Sequence, residues 1–294
     1  MEFAPAHQRA LRRHRADSCK CRRHGTTSGS SKNPAKDFGP IADDYAFFET
    51  HATEAEHDAR AYAERLAGIV PSEGTIRFLD FGCGSGGFTA RFLELAGWPR
   101  ERLRLTLVEP VESARRQAVA RLSGYSDRPA VDSPTLPSGT TAGFEIVLAN
   151  HVLYYVPELQ SQLAGRIAAL SPQGVFVTAI ASRTNALIEF WIAGFRMLGR
   201  EISYNTSEDV EAELQQSGAA CEKQKVPYEL AFPDTEENRM QIIRFLLAEH
   251  LAAMPHRPLL DLFDQYALAG WIKVRTNSDH FTIRSKGADR SNLE

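Results

Sequence analysis

From Ile41 onward, apolar and small residues fall at positions 41, 45, 48, 52, 55, 59, 62 and 66. The steps alternate between four and three, which places them on one face of a helix. The stretch "IADDYAFFETHATEAEHDARAYAERLAGIV" therefore reads as one or two amphipathic helices, closed by Pro71, Ser72 and Gly74. The period then changes. "TIRFLDFG" reads as a strand, "GFTARFLELAG" as a helix ending on glycine, "RLRLTLVEP" as a strand and "ESARRQAVARLSG" as a helix. "AVD" and "FEIVLAN" add strands, "ELQSQLAGRIAAL" a helix, and "GVFVTAI" a strand flanked by Pro172 and Gly174. Such alternation means a mostly parallel sheet covered by helices on both faces. After Ala181 the pattern turns helical in "NALIEFWIAGFRML", "SEDVEAELQQSG", "NRMQIIRFLLAEHLAAM" and "PLLDLFDQYALAG". Two strands, "EKQKVPYELAF" and the last one, "HFTIRS", interrupt it. The expected fold class is α/β, a doubly wound sheet of seven strands with added helices capping a pocket.

Composition narrows the function classes. The chain has 294 residues, 43% of them apolar, enough for a large core. No apolar run approaches the ~18 to 20 residues of a membrane span, and the N-terminus lacks the apolar segment of a secretory signal, so a cytoplasmic location is expected. Cys19, Cys21, Cys83 and Cys221 make neither a disulfide framework nor zinc spacing, and no metal is expected. The net charge of −3 conceals an asymmetry: residues 1–36 hold nine Lys/Arg against two Asp/Glu. The tail is near +7 and the body, residues 37–294, near −10. A tail this polar reads as disordered. A basic arm for nucleic acid and a transit peptide are the other readings, though no aromatic is interleaved with the charges.

The chemistry concentrates in "FLDFGCGSGGFT", which packs four glycines into positions 82–87 after a strand that ends near Asp80. Absent side chains let backbone amides approach a nucleotide-like ligand at a helix N-terminus. Two fingerprints are satisfied together. Gly82-x-Gly84-x-x-Gly87 is the dinucleotide pattern, and Asp80-x-Gly82-x-Gly84-x-Gly86 is the S-adenosylmethionine pattern. A pyrophosphate disfavours a nearby carboxylate, whereas S-adenosylmethionine brings an ammonium and a sulfonium, so Asp80 points to the latter. Glu109, which ends the second strand, suits the ribose hydroxyls of either cofactor.

Further segments decide the matter by resemblance. "VDSPTLP" resembles the methyltransferase segment whose aspartate, here Asp132, binds the adenine amino group. "FEIVLANHVLYYVPE" resembles the fourth-strand motif, ending on Asn150 and with Glu145 where that family usually has aspartate, and "LSPQGVFVTA" resembles the fifth-strand segment. On these ordered matches the chain is identified as a member of the class I S-adenosylmethionine-dependent methyltransferases. The resemblance implies a Rossmann-like sheet with an antiparallel last strand, S-adenosyl-L-methionine as cofactor, and Asp80, Gly82, Gly84, Gly86, Glu109, Asp132 and Asn150 as cofactor-binding residues.

"FFETHATEAEH", "LVEPVESA", "HVLYYVPE", "YNTSEDVEAELQQSG" and "TNSDHFTIRS" look, in that order, like segments of the histamine N-methyltransferase family. That resemblance implies an amine pocket of Tyr45, Glu54, Tyr154, Tyr155 and Asn277, with His151 where the family has glutamine. Glu54 would pair with a cationic part of the acceptor, the tyrosines would supply π faces, and His151 could take the amine proton. Tyr45 also lies on the helix stripe and Glu54 off it, so core packing and a solvated charge remain their plain readings. The expected activity is methylation of a small molecule, an amine or imidazole nitrogen. The alternatives are O-methylation of a natural product or carboxylate, and RNA modification using the basic tail. The expected partner is the small-molecule acceptor, with neither membrane nor nucleic acid.

Overall fold

Two helices, α1 (Ala42–His51) and α2 (Glu54–Ala67), precede an alternation of strands and helices. This runs β1 (Ile76–Phe81), α3 (Gly87–Ala96), β2 (Leu103–Val108), α4 (Glu112–Leu122), β3 (Val131–Ser133), β4 (Phe144–Asn150), α5 (Leu159–Ala168) and β5 (Leu170–Ile180). The second half holds α6 (Ala186–Met197), α7 (Ser207–Ser217), β6 (Cys221–Pro233), α8 (Glu236–Leu247), α9 (His256–Asp261), β7 (Ala267–Leu268) and β8 (Trp271–Arg284). The computed structural model describes residue 36 and residues 38–136 and 143–285, all within one compact unit. Apart from Lys36, the basic tail lies outside the described residues.

The sheet order is β3-β2-β1-β4-β5-β8-β6, with β7 paired to β8 beside that path. β1 to β5 are mutually parallel, and β8 runs antiparallel to β5 and β6. Successive residues of the central strands feed opposite cores. Leu79, Val147 and Ala149 join one core with residues of α5, α6 and α8, while Phe78, Ile146 and Leu148 join the other with residues of α2, α3 and α4. Burial on both faces explains why these strands are apolar throughout instead of alternating.

Three boundaries differ from the sequence reading. Among the described residues the sheet has eight strands, not seven, because the helix expected as far as Gly270 stops at Tyr266 and a tight turn at Ala269 and Gly270, both at positive φ, folds β7 back on β8. The last strand begins at Trp271 rather than His280. Its polar middle hid it, and those polar residues are buried with partners: Ser278 donates to Glu54 at 3.2 Å and Ser207 to Asp279 at 2.5 Å. Leu170 starts β5 instead of ending a helix, pairing with Phe144 ahead of a register shift.

Candidate active site

The glycine turn lies at the C-terminal end of β1, between β2 and β4, where the connections switch direction. Ligands of open α/β sheets bind at that edge. Gly82, at φ +77°, is packed: a Cβ there would fall 2.5 Å from Val152 Cγ2. Gly84, at φ +51°, faces open space, with nothing within 4 Å of an added Cβ. Gly86 is the N-cap of α3 and lies against Ala118. The first and third glycines therefore serve packing, and the second leaves bare backbone for a ligand. Gly82→Ala is expected to cost about 1 to 3 kcal/mol of stability through overpacking. Gly84→Ala should cost about 1 kcal/mol for its left-handed backbone while weakening cofactor binding. Denaturant titration alongside cofactor calorimetry separates the two effects.

Acids surround this turn. Asp80 is buried and accepts from the Thr89 hydroxyl. Burial raises its carboxyl to about 7, with the Thr89 bond opposing and Glu109 pushing further up. Glu109 accepts from the Gly84 N–H at 3.1 Å and the Val111 N–H at 2.9 Å. Arg115, which the sequence reading passed over, donates to the Glu109 carbonyl at 2.5 Å and to Asp132 Oδ2 at 3.0 Å, so one guanidinium sets the spacing of both acids. Two neighbouring carboxylates beside an open glycine repel a pyrophosphate and suit an ammonium and ribose hydroxyls, so the residues present fit S-adenosylmethionine. Asn150 accepts from the Tyr62 hydroxyl at 3.1 Å. Glu145 stands at the other end of β4, where its carboxylate takes the Arg77 guanidinium at 2.6 Å and the Arg77 N–H at 2.8 Å.

The side expected to take the acceptor is built by α2. The break between α1 and α2 pairs Ala52 with Leu230 of β6, and Thr53 exchanges bonds of 2.9 and 3.0 Å with Glu229, which pins the start of α2. Glu54, Asp58 and Tyr62 then recur at helical spacing on one face. That face meets β8, where Ser278 and His280, two apart on a strand, project the same way. Ser278 donates to Glu54, and Asp58 bridges two histidines: His280 Nε2 lies 2.7 Å from Oδ1 and His151 Nε2 lies 2.8 Å from Oδ2. His151 Nε2 is also 3.6 Å from Glu54.

His151 follows β4 with φ +52°, a strained conformation for a side-chain-bearing residue, held by its N–H bond to the Ala179 carbonyl at 3.0 Å. Burial opposes a charge on this ring, but Glu54 and Asp58 outweigh it and raise His151 to about 9. Asp58 shows the converse: burial pushes it up, and the two imidazoles more than offset this, leaving it below the usual aspartate range. Glu54 is raised, by burial first and by Asp58, against the pull of His151. The histidine base expected near neutral pH is thus a buried cation whose ring nitrogens face Asp58 and, at 3.2 Å, the Tyr154 hydroxyl. Tyr154 Oη in turn accepts from the Ala181 N–H at 2.6 Å.

Aromatic rings complete this side. Tyr154 lies 5.6 Å from Tyr155, which meets Phe38 at 5.7 Å, and Phe38 meets Tyr45 at 5.4 Å. The structure therefore brings Glu54, His151 and Tyr154 together and joins Tyr155 and Tyr45 to them through rings. It does not bring Asn277. Strand alternation turns that side chain to the other face of β8, where its Oδ1 accepts from Lys225 at 3.1 Å, and Ser278 stands at Glu54 instead. Asp58, His280 and Ser278 were missed by the sequence reading. The available signal was the four-residue spacing of Glu54 and Asp58 opposite the alternation of Ser278 and His280.

Comparison with known proteins bears on the fold. Residues 79–176 match a family described as a methyltransferase domain. Trans-aconitate 2-methyltransferase of Rhodopseudomonas palustris is 31% identical over 134 residues, which span 46% of this chain and 47% of that protein. The chain thus spans about half the length of the curated relative it matches. Among solved structures, BH2331 of Bacillus halodurans, a candidate methyltransferase, superposes with a TM-score of 0.51 at 14% identity, over 76% of this chain and 97% of its own. YcgJ of Bacillus subtilis gives 0.51 at 14% identity, over 79% and 100%. Residues 79–176 thus match a methyltransferase domain, and the strand order, with its acid-lined glycine turn at the switch point, is the fold shared with these solved structures.

Proposed function

We propose that the protein transfers a methyl group from S-adenosylmethionine to a nitrogen of a small molecule, an amine or an imidazole. The observation that carries this is the half-enclosed acid Glu54, set between His151, which also meets the Tyr154 hydroxyl, and Ser278. Asp80, Gly82, Gly84, Gly86, Glu109, Asp132 and Asn150 would hold the cofactor. Its contribution when bound is an electrophilic methyl group on a sulfonium. The remaining work belongs to the chain. Glu54 supplies counter-charge to a cationic acceptor, and the tyrosine faces favour the same charge. Because burial raises Glu54, it holds a proton more readily than an ordinary carboxylate and can take the one that a nitrogen acceptor must lose to expose its lone pair. Holding the acceptor in line supplies much of the acceleration.

Asp80 gives this reading a pH signature. A group raised to about 7 must ionise to meet a cation, so cofactor affinity should fall as pH drops below about 7, by up to about tenfold per unit. Calorimetry at pH values either side of 7 checks it.

O-methylation of a carboxylate is the second reading, favoured by the similarity to trans-aconitate 2-methyltransferase and by the positive charge at His151. A thermal-shift panel with S-adenosylmethionine present, covering biogenic amines, imidazoles, phenols and tricarboxylates, separates the two. Stabilisation by cationic amines supports nitrogen transfer, and stabilisation confined to carboxylates overturns it. The described residues include no helix long and apolar enough to cross a membrane.

A further inference from the structure

Lys36 closes the basic run in the sequence, yet its side chain is buried. Its ammonium lies 5.3, 5.7 and 4.8 Å from the ring centroids of Phe38, Tyr155 and Phe245. All three fall within the ~6 Å reach of a cation–π contact. The same ammonium donates to the carbonyl of Phe245 and, at 3.4 Å, to that of Leu246, both in the last turn of α8. Trp191 fixes that turn by donating to the Leu246 carbonyl at 2.6 Å. Rings around a charge and carbonyls at its tip are what a primary alkylammonium requires.

Two features set this apart from routine burial of a lysine. A lysine near a surface usually keeps its head in water and buries only its stem. Here the head is inside, and burial pulls it down to about 7, opposed by Glu249, so keeping it there works against its charge. The cage also shares walls with the acceptor side. Tyr45 lies 5.4 Å from Phe38 and 5.5 Å from Phe245, and Tyr155 lies 5.6 Å from Tyr154, which reaches His151.

We propose that the cage of Phe38, Tyr155 and Phe245 is a binding subsite for the alkylammonium group of a small molecule, and that Lys36 is a tethered occupant which such a ligand displaces. Its place in the reaction rests on the nitrogen-transfer reading above: the displacing group is then the cationic end of the acceptor, and Lys36 raises the acceptor concentration needed to fill the pocket.

The test uses the full chain with Lys36→Ala and n-butylammonium, which replaces the deleted side chain, against 1-butanol as its uncharged counterpart. Calorimetry should show saturable butylammonium binding to the variant, about tenfold or more tighter than to the parent, with a raised melting temperature and no equal response to butanol. Tyr155→Leu in the same background should remove the gain. Wild-type protein labelled with 13C at the lysine ε-carbon serves should the variant not fold. Its ring-shifted Lys36 signal should move to the solvent-exposed position as butylammonium saturates. Equal binding of butylammonium and butanol to the variant, or a Lys36 signal that stays in place at saturation, overturns the proposal. Butylammonium binding by a protein that methylates no amine upholds the cage and removes the reading of the reaction.

Discussion

Asp58→Asn is expected to destabilise the protein by about 3 to 5 kcal/mol, the range for removing one member of a buried ion pair. The carboxylate is fully buried and is the shared partner of His151 and His280. Its loss leaves two imidazoles and Glu54 in a pocket shaped for four groups. The pH dependence gives the sign. His151 is raised to about 9, so its share of stability is fully present below about 6.5 and is lost as pH rises through about 9. Asp58 is lowered, so its share is present above its ordinary 3.8 and is lost as pH falls below that. The contribution of this network to stability should therefore plateau between about pH 4 and 6.5 and decline from there to about pH 9, and the variant should lose both shoulders. Urea unfolding across that range reads both effects. An unchanged midpoint and an unchanged pH profile would remove the network from the account.

Glu109→Ala is expected to weaken S-adenosylmethionine by about 1.5 to 3 kcal/mol, the scale for hydrogen bonds to a charged group. In dissociation constant that is roughly tenfold to a hundredfold. Two effects combine. The proposed acceptor for the ribose hydroxyls disappears, and the Gly84 and Val111 N–H groups lose the carboxylate that holds the turn. Arg115 still ties Asp132 to the carbonyl of residue 109 through the backbone, so the adenine end should survive. Adenosine, which keeps the base and ribose but lacks the ammonium, should then lose about as much affinity as the full cofactor. Wild-type affinity of the variant for S-adenosylmethionine would place the ribose elsewhere.

The turn proposed to hold the cofactor was legible in the sequence because its determinants are local. Asp80, the glycines and Glu109 fall within 30 residues, each at a fixed offset from a strand whose apolar run is unmistakable. The geometry of the proposed acceptor half was legible only in part. Glu54, His151, Tyr154, Tyr155 and Tyr45 could be named by resemblance, but what surrounds them depends on pairings across the whole chain. Ser278 and Glu54 are 224 residues apart, and His280 and Asp58 are 222. No periodicity reports such a contact. Asp58 sits next to Ala59 on a helix, where a charge reads as solvated, and its burial follows only from β8 lying against that face. Asn277 was displaced by one position for a related reason. The start of β8 at Trp271 fixes which residues face α2, and the polar run "RTNSDH" concealed that start. The same residues explain the changed role of His151. Burial alone would push its ring below the ordinary value, and the paired carboxylates of α2 hold it charged instead.

The most direct measurement is the identity of the methylated product. Purified protein is mixed with S-adenosylmethionine carrying a 13C-methyl group and with an equimolar panel of alkylamines, aminoalkyl imidazoles, phenols and tricarboxylates, and the new methyl resonance is located by NMR. The account predicts an N-methyl signal, formed faster at pH 8 than at pH 6 and weakened by Glu54→Gln. A methyl ester formed in its place, or an N-methyl signal indifferent to Glu54, would contradict it.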